Sequence, residues 1–299
     1  MRISVIIATY RRREHLAACL DALGRQSRVP DEIIVVTVSS DSESRDFLKE
    51  YTRVHPGVRE AVTGQPDIVA AENAGLKESS GDIVCFIDDD AVAPVTWVEM
   101  IARHYGQDAS LGGVGGPVIP VAGGKPVIEA TAVFAKMSWY GKRETNSSRV
   151  PPAVQEVDFL RGANMSFRKA LVPGFDTRLL PYWRRFEDDV CFSIKEKGFR
   201  IICDPALQVL HFQAPEGREL VDTSRQTAIG LHHNSLYVKL KHSKGAWRKA
   251  ACAAFEFTWG DETTPGCLQI IVHGLSHARL GCFQEAWLAF KGKIKGIQS

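Results

Sequence analysis

These 299 residues contain no CxxC pair, no Gly-rich dinucleotide fingerprint, no P-loop, no apolar run of membrane-spanning length and no long basic tract. Each absence removes a class of protein. The seven cysteines (19, 85, 191, 203, 252, 267 and 282) are odd in number, scattered and mostly set among apolar residues. That pattern excludes a disulfide scaffold or zinc ribbon and fits reduced core cysteines in a cytosolic protein. Without GxGxxG after the first strand or a Walker-type loop, neither a dinucleotide-binding domain nor a P-loop NTPase is expected. The 37 basic and 35 acidic residues nearly cancel, leaving a net charge of +2, so no nucleic-acid partner is expected. The apolar stretch Ile3–Ala8 is too short for a signal h-region and lacks a small-residue cleavage site, so the expected location is cytoplasmic.

What is present is an ordinary soluble composition, 44% apolar and 24% charged, in a chain long enough to bury a sizeable core. Strand and helix patterns alternate through the first 120 residues. Strands are expected at Ile3–Ala8, Glu32–Val38, Val58–Val62, Ile83–Ile87 and Val114–Ile119, with a helical repeat of Leu16, Cys19, Leu20 and Leu23 after the first strand and helices over Ser42–His55, Asp67–Ser79 and Pro94–Tyr105. Such alternation implies right-handed βαβ units and a mostly parallel central sheet between helices, an α/β layer of nucleotide-binding type. Residues 121–156 mix Gly, Pro and Ser with scattered aromatics and suggest an acceptor-binding flap. Order resumes at Val157–Leu160 and Asn164–Phe167, then a helix over Asp188–Lys197 stopped by Gly198, and strands at Arg200–Cys203 and Leu207–His211. After Glu216 only helical patterns remain, at 218–242, 245–258, 265–277 and 282–295. The expected division is a domain over residues 1–215, with a nucleotide-binding half (1–120) and an acceptor and sugar half (121–215), followed by a helical C-terminal appendage (216–299).

The chemistry concentrates in Gly81-Asp82-Ile83-Val84-Cys85-Phe86-Ile87-Asp88-Asp89-Asp90, a strand with no polar alternation that ends in three carboxylates. Strands of this kind are covered on both faces, and in open α/β sheets ligands bind outside their carboxyl ends. Were the chain to stay extended, Asp88 and Asp90 would share one side and Asp89 the other. Two carboxylates on one side call for a hard cation such as Mg2+ or Mn2+, completed by substrate phosphates. The plainer alternative is an Asp-rich turn before a helix. A second acidic cluster, Glu187-Asp188-Asp189, follows Tyr182-Trp183-Arg184-Arg185-Phe186. A carboxyl beside aromatic rings can be tuned to act as a general base, or these acids simply complement the N-terminal dipole of the next helix. His211, closing a strand, is either a hydrogen-bonded structural residue or a ligand completing a Mn2+ shell begun by Asp90. The glycines of Leu111-Gly112-Gly113-Val114-Gly115-Gly116 lead into a strand, so close backbone packing is the expected reason for them.

The ordered set Ser4-Val5-Ile6-Ile7-Ala8-Thr9-Tyr10-Arg11-Arg12, Ala71-Glu72-Asn73-Ala74-Gly75, Gly81–Asp90, Leu160-Arg161-Gly162-Ala163-Asn164-Met165-Ser166-Phe167, Gly174-Phe175-Asp176 and Glu187-Asp188 resembles glycosyltransferase family 2, of the GT-A fold, over about residues 1 to 213. The resemblance implies inverting, metal-dependent transfer of a sugar from a nucleoside-diphosphate donor to a glycan or lipid-linked acceptor, in polysaccharide or surface-glycan assembly. It implies that Ala8, Thr9, Tyr10, Arg12, Asp41, Asn73, Asp88 and Asp89 meet the donor nucleotide, and that Asp90 holds Mn2+ or Mg2+, to which the reading of His211 as a ligand adds an imidazole. By the same resemblance Arg161, Gly162, Ala163, Asn164 and Trp183 line the sugar and acceptor pocket, and Asp188 is the base, with Glu187 and Asp189 beside it.

The chain departs from that pattern in three places. It carries Val36-Thr37-Val38-Ser39-Ser40-Asp41 where the family usually has an Asp pair, Glu72 where Arg is frequent, and one residue fewer after Glu187, so that Asp189 can share the role of Asp188. A nucleotide-sugar-binding protein without turnover is the alternative these departures suggest. A nucleotidyltransferase would also want an acidic metal site but leaves the second cluster unexplained. In the terminal helix, Lys291, Lys293 and Lys295 with Trp287, Leu288 and Phe290 suggest a basic amphipathic end that touches the inner face of an anionic membrane, or else a solvated helix end.

Overall fold

A computed structural model describes residues 1–130, 134–144, 149–180, 185–213, 225–261, 264–277 and 281–299. The chain begins β1 (Ile3–Ala8), α1 (Arg13–Gly24), β2 (Glu32–Val38), α2 (Ser42–Val54), β3 (Val58–Thr63), α3 (Ile68–Glu78) and β4 (Ile83–Ile87). It continues β5 (Ala91–Val92), α4 (Trp97–Gln107), β6 (Leu111–Gly115), β7 (Val118–Ala122), and the short β8 (Lys125–Pro126), β9 (Glu129–Ala130), β10 (Arg149–Val150) and β11 (Gln155–Glu156). Then come β12 (Asn164–Arg168), α5 (Phe186–Glu196), β13 (Arg200–Cys203), β14 (Val209–His211) and four helices, α6 (Arg225–His242), α7 (Ala246–Thr258), α8 (Cys267–Ser276) and α9 (Cys282–Gln298).

The main sheet has the order β11-β13-β6-β12-β4-β1-β2-β3. β4, β1, β2 and β3 are parallel neighbours, as the alternating pattern requires, and β13 runs parallel to β6. β12 is inserted antiparallel between β4 and β6, pairing Asn164 with Ile87 and Arg168 with Ile83. Every residue of β2, β4 and β6 is buried, because helices cover both faces and no solvent side remains to accept polar alternation. The apolar side chains divide between one core around Ile7, Leu20, Cys85 and Trp97 and another around Ile6, Phe86, Phe167 and Phe186.

One sequence expectation is corrected. The single strand foreseen at Val114–Ile119 is two strands, β6 in the main sheet and β7 in a second sheet of order β5-β14-β7-β8. The break falls at Gly116-Pro117, where proline cannot donate to a ladder. The glycines there serve close packing as expected: a Cβ on Gly116 would lie 2.3 Å from the carbonyl oxygen of Leu207, and one on Gly115 would lie 2.6 Å from that of Asn164. Because β5 and β14 carry the segments beside Asp90 and His211, this second sheet brings His211 to the end of β4. Other elements match to within a few residues: α5 begins two residues early at Phe186, and Gly198 after it has φ +87°, the left-handed region foreseen for the helix stop. The helical pattern foreseen at 218–242 has its first residues outside those described.

The C-terminal helices make polar contacts with the elements before them. Lys241 of α6 donates to Asp176 at 2.8 Å and to Asp189 of α5 at 2.9 Å, His242 meets Asp189 at 2.8 Å, and the side chain of Asn234 clamps both backbone groups of Leu180 at 2.9 and 3.0 Å. Lys293 is wholly buried, with Nζ 2.5 Å from Glu256 Oε2, so it is no part of a basic surface at the chain end.

The Gly116 contact yields a direct test. Gly116→Ala drives a methyl group into the Leu207 backbone, which is fixed between β13 on β6 and β14 on β7, so it should lower stability by about 1–3 kcal/mol, the usual cost of overpacking. Urea unfolding at unchanged m-value measures it, and Gly24→Ala, where a Cβ meets nothing within 4 Å, is the control.

Candidate active site

Two acidic clusters are the candidates for the site. The first lies at the carboxyl end of β4. Asp89 turns inward: its oxygens accept from Thr9 Oγ1 at 2.7 Å and Arg12 Nη1 at 2.9 Å. Burial pushes its carboxyl up to about 7 against the pull of Arg12. Asp89 therefore ties the loop after β1 to the strand end, and Thr9 and Arg12 devote part of their bonding capacity to it. The chain turns here instead of staying extended, Ala91 N donating to Asp88 O at 3.1 Å, and the turn sets His211 Nε2 3.4 Å from Asp88 Oδ2 and 2.8 Å from Asp90 Oδ1, with Arg12 Nη1 3.5 Å from Asp90 Oδ2. One ligand atom from each of the three lies within 4.8 Å of the others. Two carboxylates and an imidazole suit a divalent cation such as Mn2+. Burial alone would lower the His211 pKa, but hydrogen bonds and charge from Asp88 and Asp90 carry it up to about 9.

Around this centre several residues expected to meet the donor make internal bonds. Asp41 caps α2 through Ser44 N at 3.2 Å and accepts from Arg11 N at 2.6 Å, so it shapes the loop that holds Tyr10. Asn73 clamps Phe175 with Nδ2 to O at 2.9 Å and Oδ1 from N at 2.8 Å, which joins two of the sequence motifs. Asn164 is fully buried, accepting from Trp97 Nε1 at 3.0 Å and donating to Leu207 O at 2.7 Å. Asn164, expected in the sugar pocket, here joins the main sheet to the segments on either side of the second one. Glu72, the unexpected acid, is 4% exposed and its Oε2 has no partner. Burial and the charge of Asp88 push its carboxyl well up, so it sits there neutral and adds no repulsion toward a diphosphate. Ala8 and Tyr10 are half-buried beside it, and Trp183 lies outside the described residues.

The second centre is the first turn of α5. Asp188 is fully buried, gripped by Arg143 through Nε at 3.0 Å and Nη2 at 3.2 Å and by Arg185 Nη1 at 3.3 Å. Asp189 is buried and held by Lys241 and His242. Glu187 differs from both. It is half-buried, and its Oε2 has no hydrogen-bond partner. Burial and then the negative charge of Asp188 raise its pKa, with Arg143 and Arg161 opposing. Gly162 makes room for this turn, since a Cβ there would come within 2.9 Å of the Phe186 ring, and the Gly162-Ala163 backbone passes beside it. Sequence reasoning missed Arg143 and Asp261, and took Arg185 only as part of a basic segment. Arg143 sits in the irregular stretch read as a flap, where no motif marks it, and its guanidinium also lies 3.7 Å from the Phe159 ring centroid.

The sequence model described as glycosyl transferase family 2 matches residues 4–152. The chain belongs to glycosyltransferase family 2. It is 24% identical over 221 residues to the glucosyl-dolichyl phosphate glucuronosyltransferase of Haloferax volcanii, covering 71% of this chain and 69% of that one. It is 34% identical over 107 residues to the uncharacterized glycosyltransferase YwdF of Bacillus subtilis, covering 35% of this chain and 38% of YwdF. Among solved structures, GalNAc-T7 with UDP, GalNAc and Mn2+ superposes with a TM-score of 0.64 at 14% identity, over 80% of this chain and 47% of that one. TarS of S. aureus superposes with a TM-score of 0.58 at 15% identity over all of this chain and 88% of that one. These likenesses identify the GT-A fold, with a mixed α/β sheet and C-terminal helices.

The geometry at His211 fixes how pH acts here. Its raised pKa means the imidazolium pair with Asp88 and Asp90 stabilises the protein fully below the ordinary value of 6.5, and the contribution is lost as pH rises through about 9. A cation must displace that proton, so Mn2+ affinity should rise with pH over the same range. Titration calorimetry in buffers of different ionisation enthalpy should show proton release on binding. Asp90→Asn should abolish the Mn2+-induced rise in unfolding temperature.

Proposed function

We propose that this family 2 member is an inverting transferase that moves a sugar from a nucleoside diphosphate to an acceptor hydroxyl, with Glu187 as the base. The observation that carries the assignment is the contrast within one helical turn. Asp188 and Asp189 are saturated by cationic partners, whereas Glu187 keeps a carboxylate oxygen unpaired and a raised pKa. A base needs a free lone pair and a pKa drawn toward the working pH, and Glu187 is the member of the cluster that offers both. Asp188 then serves as the anion that holds Arg143 and Arg185 and raises Glu187.

In this reading the donor nucleotide lies along the loop of Thr9, Tyr10 and Arg12, with its diphosphate toward Asp88, Asp90 and His211. A divalent cation bound there would neutralise charge developing on the leaving diphosphate. Mn2+ or Mg2+ would serve, and the imidazole favours Mn2+. Glu187 takes the proton of the acceptor hydroxyl as its oxygen attacks the anomeric carbon from the face opposite the leaving group. The bond between that carbon and the phosphate oxygen breaks, its electron pair leaves with the diphosphate, and the anomeric configuration inverts. Arg161, whose charge acts on Glu187, stands on the acceptor side.

The acceptor proposed is a lipid-linked glycan used in surface polysaccharide assembly, a chemistry that the name of the Haloferax relative also contains. Support comes from the outer face of the C-terminal helices. Leu268, Val272 and Leu275 form an exposed i, i+4, i+7 stripe on α8, and Phe283, Trp287 and Phe290 form another on α9, which packs along it. On α7 to α9 the exposed charges are Arg248, Lys249, Lys291 and Lys295 against Glu285, so the apolar stripes are bordered by net positive charge. No described helix is long and apolar enough to cross a membrane. A cationic, aromatic, non-spanning face fits the surface of an anionic bilayer.

Glu187→Gln should reduce transfer by roughly 10²–10⁴-fold, the usual share of a general base, while leaving nucleotide-diphosphate affinity intact. In the parent, kcat/KM should fall as pH drops through the pKa of Glu187, at a position above the ordinary glutamate value of 4.5, and the acid limb should vanish in the variant. A Glu187→Gln protein that transfers sugar at the parental rate would rule the base out. For the membrane face, the protein should sediment with phosphatidylglycerol vesicles and not with phosphatidylcholine vesicles. Phe283→Ser with Trp287→Ser should release it; equal binding to both vesicles, or a concentration-dependent dimer that hides these residues, would overturn that part.

A further inference from the structure

The buried charges of the base cluster continue into the C-terminal helices. Arg185 reaches Asp188 with Nη1 and, with Nη2, donates to both oxygens of Asp261 at 3.2 and 3.3 Å. Asp261 lies just after α7. It also accepts from Lys239 Nζ of α6 at 2.9 Å and from the backbone N–H and hydroxyl of Thr264 at 3.0 and 2.9 Å. Lys239 pairs in turn with Glu256, whose other oxygen takes Lys293 of α9. Arg185, Lys239, Glu256, Asp261 and Lys293 are all 7% exposed or less. Ion pairs this deep lose most of their Coulombic gain to desolvation, so general stability is a weak reason for them, and a specific geometry is a better one.

That geometry is at the start of α5. Arg185 is the N-cap residue, its φ is +81°, and its side chain makes no capping bond to the helix. A left-handed conformation is costly for any residue with a Cβ and persists where the surroundings over-determine it. Here the surroundings are the two carboxylates that share one guanidinium. Its planar fork engages Asp188 on one side and Asp261 on the other, which the single ammonium of a lysine could not do.

We propose that Asp261 is a positioning residue for sugar transfer, anchoring Arg185 so that the first turn of α5 presents Glu187 to the acceptor hydroxyl. The C-terminal helices thereby complete the catalytic apparatus. The proposal rests on the reading of Glu187 as the base. The charged groups that act on Glu187 are Asp188 on its own helix, Arg143 from the segment before β10, Arg161 from the turn before β12, and Arg185. Asp261→Asn keeps an acceptor oxygen for Thr264 but removes the charge that balances Arg185. The uncompensated guanidinium then favours the ionised form of Glu187.

The test measures kcat, donor KM and the pH dependence of kcat/KM for Asp261→Asn, Thr264→Val, Glu187→Gln and the parent, each with its unfolding midpoint. Asp261→Asn should lower kcat roughly ten-fold or more with donor KM unchanged, because a small displacement of a reacting group is expensive. Its acid limb should move to lower pH. Thr264→Val keeps the charge and loses one anchor of Asp261, so it should lower kcat less and leave the acid limb in place. A folded Asp261→Asn with parental kcat overturns the proposal, as does a kcat loss that only tracks the folded fraction with the limb unmoved. Should Asp261→Asn lack a cooperative unfolding transition, Thr264→Val decides: reduced kcat at constant donor KM sustains the proposal and parental kcat overturns it. Glu187→Gln separates the two levels, since its retention of the acid limb would defeat the base assignment whatever Asp261 does.

Discussion

Three carboxylates at the end of a strand with no exposed face cannot share one solvent, so each needs its own compensation, and much of the molecule is arranged to provide it. Asp89 is neutralised from within by Thr9 and Arg12, which locks the loop after β1. Asp90 is set against His211, and reaching it requires a second sheet, since β14 must lie beside β5 to bring the imidazole to 2.8 Å. Asp88 remains the half-exposed member of the three. Arg12, which holds Asp89, also stands 3.5 Å from Asp90, so the acidic tripeptide is both a structural tie and, through Asp88, Asp90 and His211, a candidate ligand set. Neighbouring charge follows the same logic: Glu72, beside Asp88 and without a cation, stays protonated.

Legibility in the sequence followed the range of the interaction. β4 was readable because burial on both faces leaves a continuous apolar run; the directions of its three aspartates were not, because they follow from a turn closed by Ala91 N to Asp88 O and not from strand alternation. The left-handed stop at Gly198 was readable for an equally local reason. The break at Gly116-Pro117 is local, but the entry of β7 into a second sheet was not readable, since its neighbour β14 and the Leu207 backbone against Gly116 lie about ninety positions away. Asn164 looked like a ligand because an amide in a motif has no visible partner in sequence. Its partners are Trp97, Pro117 and Leu207, from three other segments. The partners of Asp188 were hidden in the same way, because Arg143 comes from a stretch without periodicity and Arg185 is held by Asp261, 76 positions further along.

The clustered acids of α5 show why motif order alone does not assign chemistry. Glu187, Asp188 and Asp189 sit within one turn, all favoured by the helix N-terminus. Their directions differ by about 100° per residue, so each faces a different neighbour. Asp188 points at the two arginines and Asp189 at α6. Glu187 faces neither, and its freedom depends on how well the others are satisfied. A carboxylate released from Arg143 and Arg185 would draw them away from one defined arrangement, and the unpaired oxygen of Glu187 is where such arginines could settle.

The geometry of α9 links the inner charge network to the outer surface. Its contact with α6 is made at Gly292 and Gly296, where a Cβ would come 2.3 Å from the carbonyl oxygen of Ile229 and 2.7 Å from that of His233. Backbones this close hold the helix in one rotation. In that rotation Lys293, between the two glycines, must point into the core, where Glu256 meets it and Lys239 and Asp261 carry the pairing on to Arg185. The residues one step around the helix, Phe283, Trp287 and Phe290, must then face outward. Turning the aromatic stripe inward would require withdrawing Lys293 from Glu256, so the exposed apolar face follows from the same contact that completes the buried ion pairs.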